Sequence, residues 1–481
     1  MSRWHAAYRR WVLGRHYRFA REHLIPYFFD ALTAYSLGLA AIGVPRASEA
    51  ARALSELRKH PLPSFNGLVE DVFFAIDQQI TEHWGLEVAG TLRRGLSRND
   101  LDLTVFRAFA RDRALLVLGD LLALRRRLLL LADLHRETLM VAYTHHRPAQ
   151  PTTLGHYLAG LENLLSRDTR RLWAALETTN ASPLGASSLA GSPYPVDRAM
   201  MARLLGFTQV VENTYDAVAA GDWAIELAQA LAGLGTSLSR MARDLLFWAE
   251  REAFVVGERV AQGSSIMPQK QNPVVLEHVR ALVAELIGGP QTLLALNHNT
   301  AYGDLNDHST GVLEPLERLS HVAQGALELS RVALEESRFV PERLAGGLED
   351  RSVLASELVD VLVAGGYLPL GEAYARVKKM LSGLAGEGRT LAQLGQADLV
   401  AHLGFSQPDL LGALEPRRFV ERRRVQGGTA LEAQTAHLRQ ARGRLTQDRR
   451  TYNTLRLEIR RARRWLSEPE GLRASPRSPS G

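Results

Sequence analysis

Long hydrophobic stripes of helical period constrain this chain more than any other feature. In LLALRRRLLLLADLHRETL, Leu121, Leu124, Leu128, Leu131 and Leu134 recur in steps of three and four, so they share one face of a helix. Similar stripes run through TYDAVAAGDWAIELAQALAGLGTSLSRMARDLLFWAEREAFVV and NPVVLEHVRALVAELIGGPQTLLAL. Turn-rich breaks separate them: TTNASPLGASSLAGSPYP, VAQGSSIMPQKQNP and RFVPERLAGGLEDRS. Strand-like alternation is scarce. The pattern predicts an all-α subunit, a central bundle of long helices flanked by smaller helical parts. Some Leu-rich helices are apolar beyond a single stripe, which predicts packing against other subunits. Divisions are expected near residues 100 and 345. They give an N-terminal helical domain (1–100), a long-helix bundle with the main loop (101–345) and a C-terminal helical domain (346–445). A basic helix and a disordered tail (446–481) follow.

Composition narrows the function classes. The 481 residues are 46% hydrophobic and 23% charged, ample for a large core. There is no Cys, so disulfides and Cys-ligated metal are excluded. No apolar run is expected to span a membrane, because Asp120 and Arg125 to Arg127 interrupt the Leu-rich stretch Leu115–Leu134. The start lacks a secretory apolar core, so cytoplasm is the expected compartment. A net charge of +6 raises nucleic acid as a partner. Arg456, Arg460, Arg463 and Arg464 lie at helical spacing, but no zinc-finger, RNA-recognition or helix-turn-helix pattern accompanies them. The expectation is a solvated basic helix that does not bind nucleic acid.

Three segments carry chemistry. In Gly263-Ser264-Ser265-Ile266-Met267-Pro268-Gln269-Lys270-Gln271-Asn272-Pro273, Gly and paired Ser make a mobile loop, Pro268 stiffens it, and Asn272-Pro273 starts a helix. Lys270 and Asn272 bring a cation and an amide donor together, a combination that suits a dicarboxylate. Tyr143-Thr144-His145-His146-Arg147-Pro148-Ala149-Gln150-Pro151 is expected at the end of a long helix, before a Pro-punctuated break. Gly95-Leu96-Ser97-Arg98-Asn99-Asp100 reads by itself as a turn and helix cap.

Taken together, these segments resemble the fumarase–aspartase superfamily. The loop is similar to its GSSxMPxKxNP motif, and Thr144 to Pro151 to its THxxxAQP segment. Ser97-Arg98-Asn99-Asp100 is similar to the SRND of argininosuccinate lyase. Further likeness to that enzyme comes from Glu70-Asp71-Val72-Phe73, PLGASSLAGSPYPVDR, NTYDAVAAGDWAIE and VERRRVQGGTALEA, so the resemblance runs from about Glu70 to Gln434.

The resemblance implies elimination of fumarate from an N-substituted aspartate. It implies Ser264 as the general base, made basic by Lys270 and a helix end. It makes His145 the proton donor or relay to the leaving amine, oriented by Glu277. Ser97, Arg98, Asn99, Thr144, Gln150, Ser265, Met267, Asn272 and Tyr302 are implied substrate contacts. Lys270, Asn272, Ser265 and Asn99 would stabilise the carbanion's carboxylate. The family assembly implied is a homotetramer around twenty long helices, five per subunit, with each site shared between subunits. No metal or organic cofactor is implied.

Departures cluster where the leaving amine would lie. Arg93-Arg94-Gly95-Leu96 precedes SRND in place of the family's His-Thr-Gly-Arg, and Leu101 follows it in place of Gln. His146-Arg147 replaces Leu-Gln after Thr144-His145, and Phe73 stands where the family has His. Tyr302-Gly303-Asp304-Leu305-Asn306-Asp307-His308 replaces the family's YNRDLQEDK. The proton-transfer residues are retained, which points to a lyase for argininosuccinate or a related N-succinyl amine. Retention of Ser264, Lys270, Asn272, Thr144 and His145 also argues against a silent structural paralogue, and the other alternative is a protein that binds nucleic acid through the C-terminal Arg helix.

Overall fold

The structure is a computed structural model and describes residues 4–468; the SPRSPSG tail lies outside them. Seven of the longer helices among the described residues are α1 (Ile25–Ala41), α2 (Arg98–Leu134), α3 (Leu154–Thr179), α4 (Asp222–Glu250), α5 (Val274–Gly288), α6 (Leu313–Glu336) and α7 (Leu431–Ser467). Helices α2 to α6 form the bundle. In it α2 packs on α3 and α6, α4 on α3, α5 and α6, and α5 on α6. The five-helix bundle follows from the stripes. Leu121, Leu124 and Leu128 of α2 have no exposure, each contributing about 1.5–3 kcal/mol through burial, whereas Leu134 ends the stripe in solvent.

Arg125 does not interrupt the α2 stripe by facing out. It is fully buried, with Glu162 of α3 at 2.9 Å, Ser166 and Thr169 at 3.1 Å, and Asp448 of α7 at 2.6 Å. A buried guanidinium is tolerated because its donors meet carboxylate and hydroxyl oxygens.

Strand is confined, among the described residues, to four two-stranded pieces. Two matter for function. Strands β1 (Leu139–Thr144) and β2 (Arg147–Thr153) form an antiparallel hairpin with an irregularity between Ala142 and Tyr143. The short strands β3 (Gln262–Gly263) and β4 (Gln271–Asn272) close the base of the Ser264 loop. A separate apolar core between Leu348 and Val420 packs beneath the first hairpin, joined by its Val141.

Three expectations need correction. Helix α7 runs unbroken through residue 445, and Leu438, Ala441, Leu445, Leu455 and Ile459 bury one face in the bundle core. The basic helix is therefore docked along that face: Arg463 pairs with Asp112 at 2.6 Å and Asp30 at 3.4 Å and lies 4.8 Å over the Tyr27 ring. The arginines hid a sparse apolar stripe. Second, Val274–Asn297 is long and apolar enough to span a membrane, with mean hydropathy 1.3. Its exposed side carries Glu277, His278, Arg280 and Glu285, and it packs on α4 and α6. Third, α2 ends at Leu134, before Thr144 and His145, which stand on the hairpin instead.

Candidate active site

The start of α2 is built by local hydrogen bonds. Ser97 is its N-cap, accepting from the Asn99 amide at 3.3 Å, and the Asp100 carboxylate accepts from the Ser97 amide at 3.0 Å. This reciprocal capping satisfies amides that the helix cannot pair itself. Asp100 also accepts from the Gly185 and Ser187 amides at 2.8 and 2.9 Å, pinning the 183–192 loop against the helix start. Its burial pushes the carboxyl up to about 6, against the lowering effect of those amides. Gly95 must be glycine: its φ is +71°, and a Cβ there would sit 2.3 Å from the Ser192 hydroxyl.

Polar groups converge here. The Ser188 hydroxyl donates to Ser97 at 2.8 Å, Ser97 meets the Asn99 side chain, and the Asn99 amide donates to Asp304. Arg98 behaves differently. Its guanidinium pairs with Asp71 and, at 2.7 Å, with Asp102, and it lies over the Phe73 and Phe74 rings. The charge is spent within the protein, and Phe73, in place of the family's histidine, supplies one of its supports.

Tyr302 precedes Asp304 by two residues in the chain. Its ring stacks on Tyr215 with centroids 5.6 Å apart and planes at 25°. Its hydroxyl donates to Asp216 at 2.5 Å, and the Tyr215 hydroxyl donates to the Tyr302 carbonyl at 3.0 Å. The bond to Asp216 pushes the Tyr302 phenol up to about 12.

A cavity of about 170 Å³ opens next to Asn99, lined by His16, Glu70, Asp71, Asp102, Asp304 and Asn306 among others. Burial holds His16 below the usual histidine range. His16 belongs to an N-terminal segment without a recognisable motif, and nothing in the sequence pointed to it.

The remaining segments sit at exposed tips. In the loop, the Ser264 hydroxyl accepts from the Met267 and Ile266 amides at 3.1 and 3.4 Å, and the Lys270 amide donates to the Met267 carbonyl at 3.0 Å. Ser265, Met267 and Lys270 are exposed and Asn272 is half-buried; Glu277 is exposed on the first turn of α5. At the hairpin tip His145 and His146 both have positive φ, 49° and 60°, as a two-residue turn between right-twisted strands requires. Thr144, His145 and Gln150 are exposed. The hairpin is held from below by Tyr143, whose ring packs 5.0 Å from Phe247 and 5.7 Å from Trp248.

One chain thus joins Ser97 and Asn99 to Asp304, with Tyr302 two residues before it, and leaves the others apart. Among the described residues, no hydrogen bond or ion pair joins Ser264, His145, Lys270 or Glu277 to one another or to Ser97 and Asn99. A cavity of about 860 Å³ lies behind the hairpin, between α3, α4 and the GGT segment at 427–429; of the expected site residues it holds only Gln150. Among the described residues, no group of three or more His, Asp or Glu is arranged to hold a metal ion.

Comparison with known proteins identifies relatives of the chain. Residues 31–288 match the family model described as "Lyase". Argininosuccinate lyase 2 of Agrobacterium fabrum is 34% identical over 392 residues, 79% of this chain and 78% of that protein. The argininosuccinate lyase of Thermus thermophilus is 38% identical over 380 residues, 78% of this chain and 81% of that protein. Among solved structures, EDDS lyase in complex with formate superposes with a TM-score of 0.85 at 26% identity, covering 94% of this chain and 92% of that one. Class II fumarase from Schistosoma mansoni shares the fold, at a TM-score of 0.65 and 15% identity over 82% of this chain and 90% of that one.

Proposed function

We infer the chemistry from one premise: the chain belongs to the lyase family that includes the argininosuccinate lyases, and it is a carbon–nitrogen lyase that eliminates fumarate. The substrate is an N-substituted aspartate whose amine carries a positive charge. The observation that carries this reading is the start of α2, where Ser97 and Asn99 sit at the positive end of a 37-residue helix beside a cavity rich in carboxylates. The helix end and its donors suit the succinyl carboxylates. The cavity suits the amine: Glu70, Asp71, Asp102 and Asp304 line it, and these four carboxylates outnumber the single Arg98 guanidinium that Asp71 and Asp102 share.

The β-proton of the succinyl group is removed by Ser264, whose alkoxide is favoured by Lys270. Lys270, Asn272 and Ser265 hold the carboxylate that takes up the developing charge, with Asn99 on its other side. Thr144 binds a substrate carboxylate, with Gln150 and Met267 among the further contacts. His145, oriented by Glu277, gives a proton to the departing nitrogen, which offsets the electron pair that nitrogen takes from the broken C–N bond. No metal or organic cofactor enters these steps.

These groups meet in a homotetramer, each site drawing on three chains. Two features support this. The hairpin tip and the Ser264 loop project from the chain without meeting the α2 cluster. In addition, only 28% of the apolar Val274–Asn297 window is buried within a single chain, leaving a face for other subunits.

The test is direct. Purified protein is incubated with fumarate and a panel of amines, arginine included, while fumarate loss is followed by ultraviolet absorbance and adducts by mass spectrometry. Formation of an N-succinyl adduct is the expected result. No fumarate consumption with any amine, and none released from argininosuccinate, would overturn the reading.

A further inference from the structure

We propose that Tyr215 is a positioning residue that sets amine selectivity, holding Tyr302 as an aromatic wall whose hydroxyl is withheld from the substrate. The proposal rests on the lyase reading above and goes beyond it, because the residue implied to touch substrate is Tyr302, through a group the structure commits elsewhere.

The argument starts in the segment Asn213-Thr214-Tyr215-Asp216. The Asn213 side chain accepts from the Tyr215 and Asp216 amides at 2.8 and 3.2 Å, capping the short helix Thr214–Ala219 and fixing both backbones. From that base the two side chains grip Tyr302 on three points. Tyr215 stacks on its ring, the Tyr215 hydroxyl donates to its carbonyl, and Asp216 accepts the hydrogen bond that its phenol donates. Both hydroxyls are thereby spent. What remains for a ligand is ring surface, and the structure leaves it open: Tyr215 is 43% exposed and Tyr302 59%. The Tyr302 ring, held by the stacked Tyr215 and two residues from Asp304 of the carboxylate-lined cavity, makes a wall suited to a cation and its alkyl stem. A phenol donor would instead favour an amine bearing a carboxylate. The clamp removes that option.

Tyr215 acts through Tyr302, so its removal should change amine binding and leave the fumarate end alone. The experiment measures kcat and both KM values in the addition direction, using the amine that the parent accepts best from a panel of arginine and unbranched diamines. For Tyr215→Ala we expect the amine KM to rise about tenfold, with kcat within about threefold and the fumarate KM unchanged. Tyr215→Phe keeps the stacked ring and should restore the amine KM to within about threefold of the parent. Size-exclusion profiles and melting temperatures establish that both variants remain assembled. An unchanged amine KM in Tyr215→Ala overturns the proposal, as does a parallel rise in both KM values or a Phe variant as impaired as Ala. A parent with no fumarate turnover brings down the lyase reading and this proposal together, which separates the two failures.

Discussion

Arg125 of α2 and Glu162 of α3 face each other at 2.9 Å inside the subunit, both with no solvent exposure, and Asp448 of α7 completes the pair from a third helix. The contact ties the C-terminal helix to the bundle through a charge that water cannot reach. Removing one partner leaves an uncompensated buried ion, which costs about 3–5 kcal/mol. Arg125→Ala, which leaves the fully buried Glu162 without the cation 2.9 Å away, should therefore lower stability by that order in denaturant unfolding. A loss below about 1 kcal/mol would show that the pair contributes little.

Ser264 sits at an exposed loop tip, so its removal should leave the fold intact. Ser264→Ala is expected to lower kcat by on the order of 10³ or more with little change in melting temperature, as for a group that acts in the transition state. Turnover close to the parent, with a substrate the parent accepts, would mean that the base lies elsewhere.

The separation of the segments within one chain makes a prediction about assembly. The protein should run as a tetramer of 53.2 kDa subunits in light scattering. Mixing inactive Ser264→Ala and Asn99→Ala chains by co-refolding should recover part of the activity, because some sites then draw each segment from an intact chain. An active monomer would sink the shared-site reading.

Asp100 and Asp102 should leave a mark on the pH profile of stability. Burial raises both carboxyls to about 6, above an unfolded value of about 3.9. The folded state then holds more protons than the unfolded state across that window, so these groups take stability away as pH rises from about 4 to about 6. The difference in melting temperature between the parent and Asp100→Asn should shift against the parent over this range. A pH-independent difference would mean that Asp100 is ionised throughout.

Argininosuccinate separates two readings of the amine pocket. The Gln and Lys of the family's amino-acid pocket have become Asn306 and His308 or are displaced, and Leu96 and Leu101 remove two polar groups nearby. An unpartnered buried polar group on arginine would cost about 1–3 kcal/mol, or roughly ten- to hundred-fold in discrimination. The expectation is weak argininosuccinate turnover beside better turnover of a carboxylate-free N-succinyl amine. A kcat/KM of about 10⁴ M⁻¹s⁻¹ or more would establish argininosuccinate as a proper substrate.

Much of the site could be read as segments but not as a constellation. Ser97 as a helix cap, the closed Ser264 loop and Glu277 on the following helix are local features, and the structure has all three. The hairpin at Thr144 was missed because the pattern before it is helical and its two-residue turn uses His145 and His146, not the usual Asn-Gly. Nothing in SRND reveals that Arg98 pairs with Asp71, which lies 27 residues earlier.

What the sequence determined alone is the periodicity and the chemistry: an all-helical bundle follows from leucines spaced three and four apart, and the lyase loop from its contiguous residues. Both are short-range properties, carried by spacing within one segment. The tertiary structure decided which charges are spent and which remain, since that depends on partners brought together over long separations. It placed Arg125 in the core, docked the arginine-rich α7 and turned the Tyr302 hydroxyl onto Asp216. Such pairings follow from packing, because a buried charge or hydroxyl must find whatever partner the surrounding helices bring within reach.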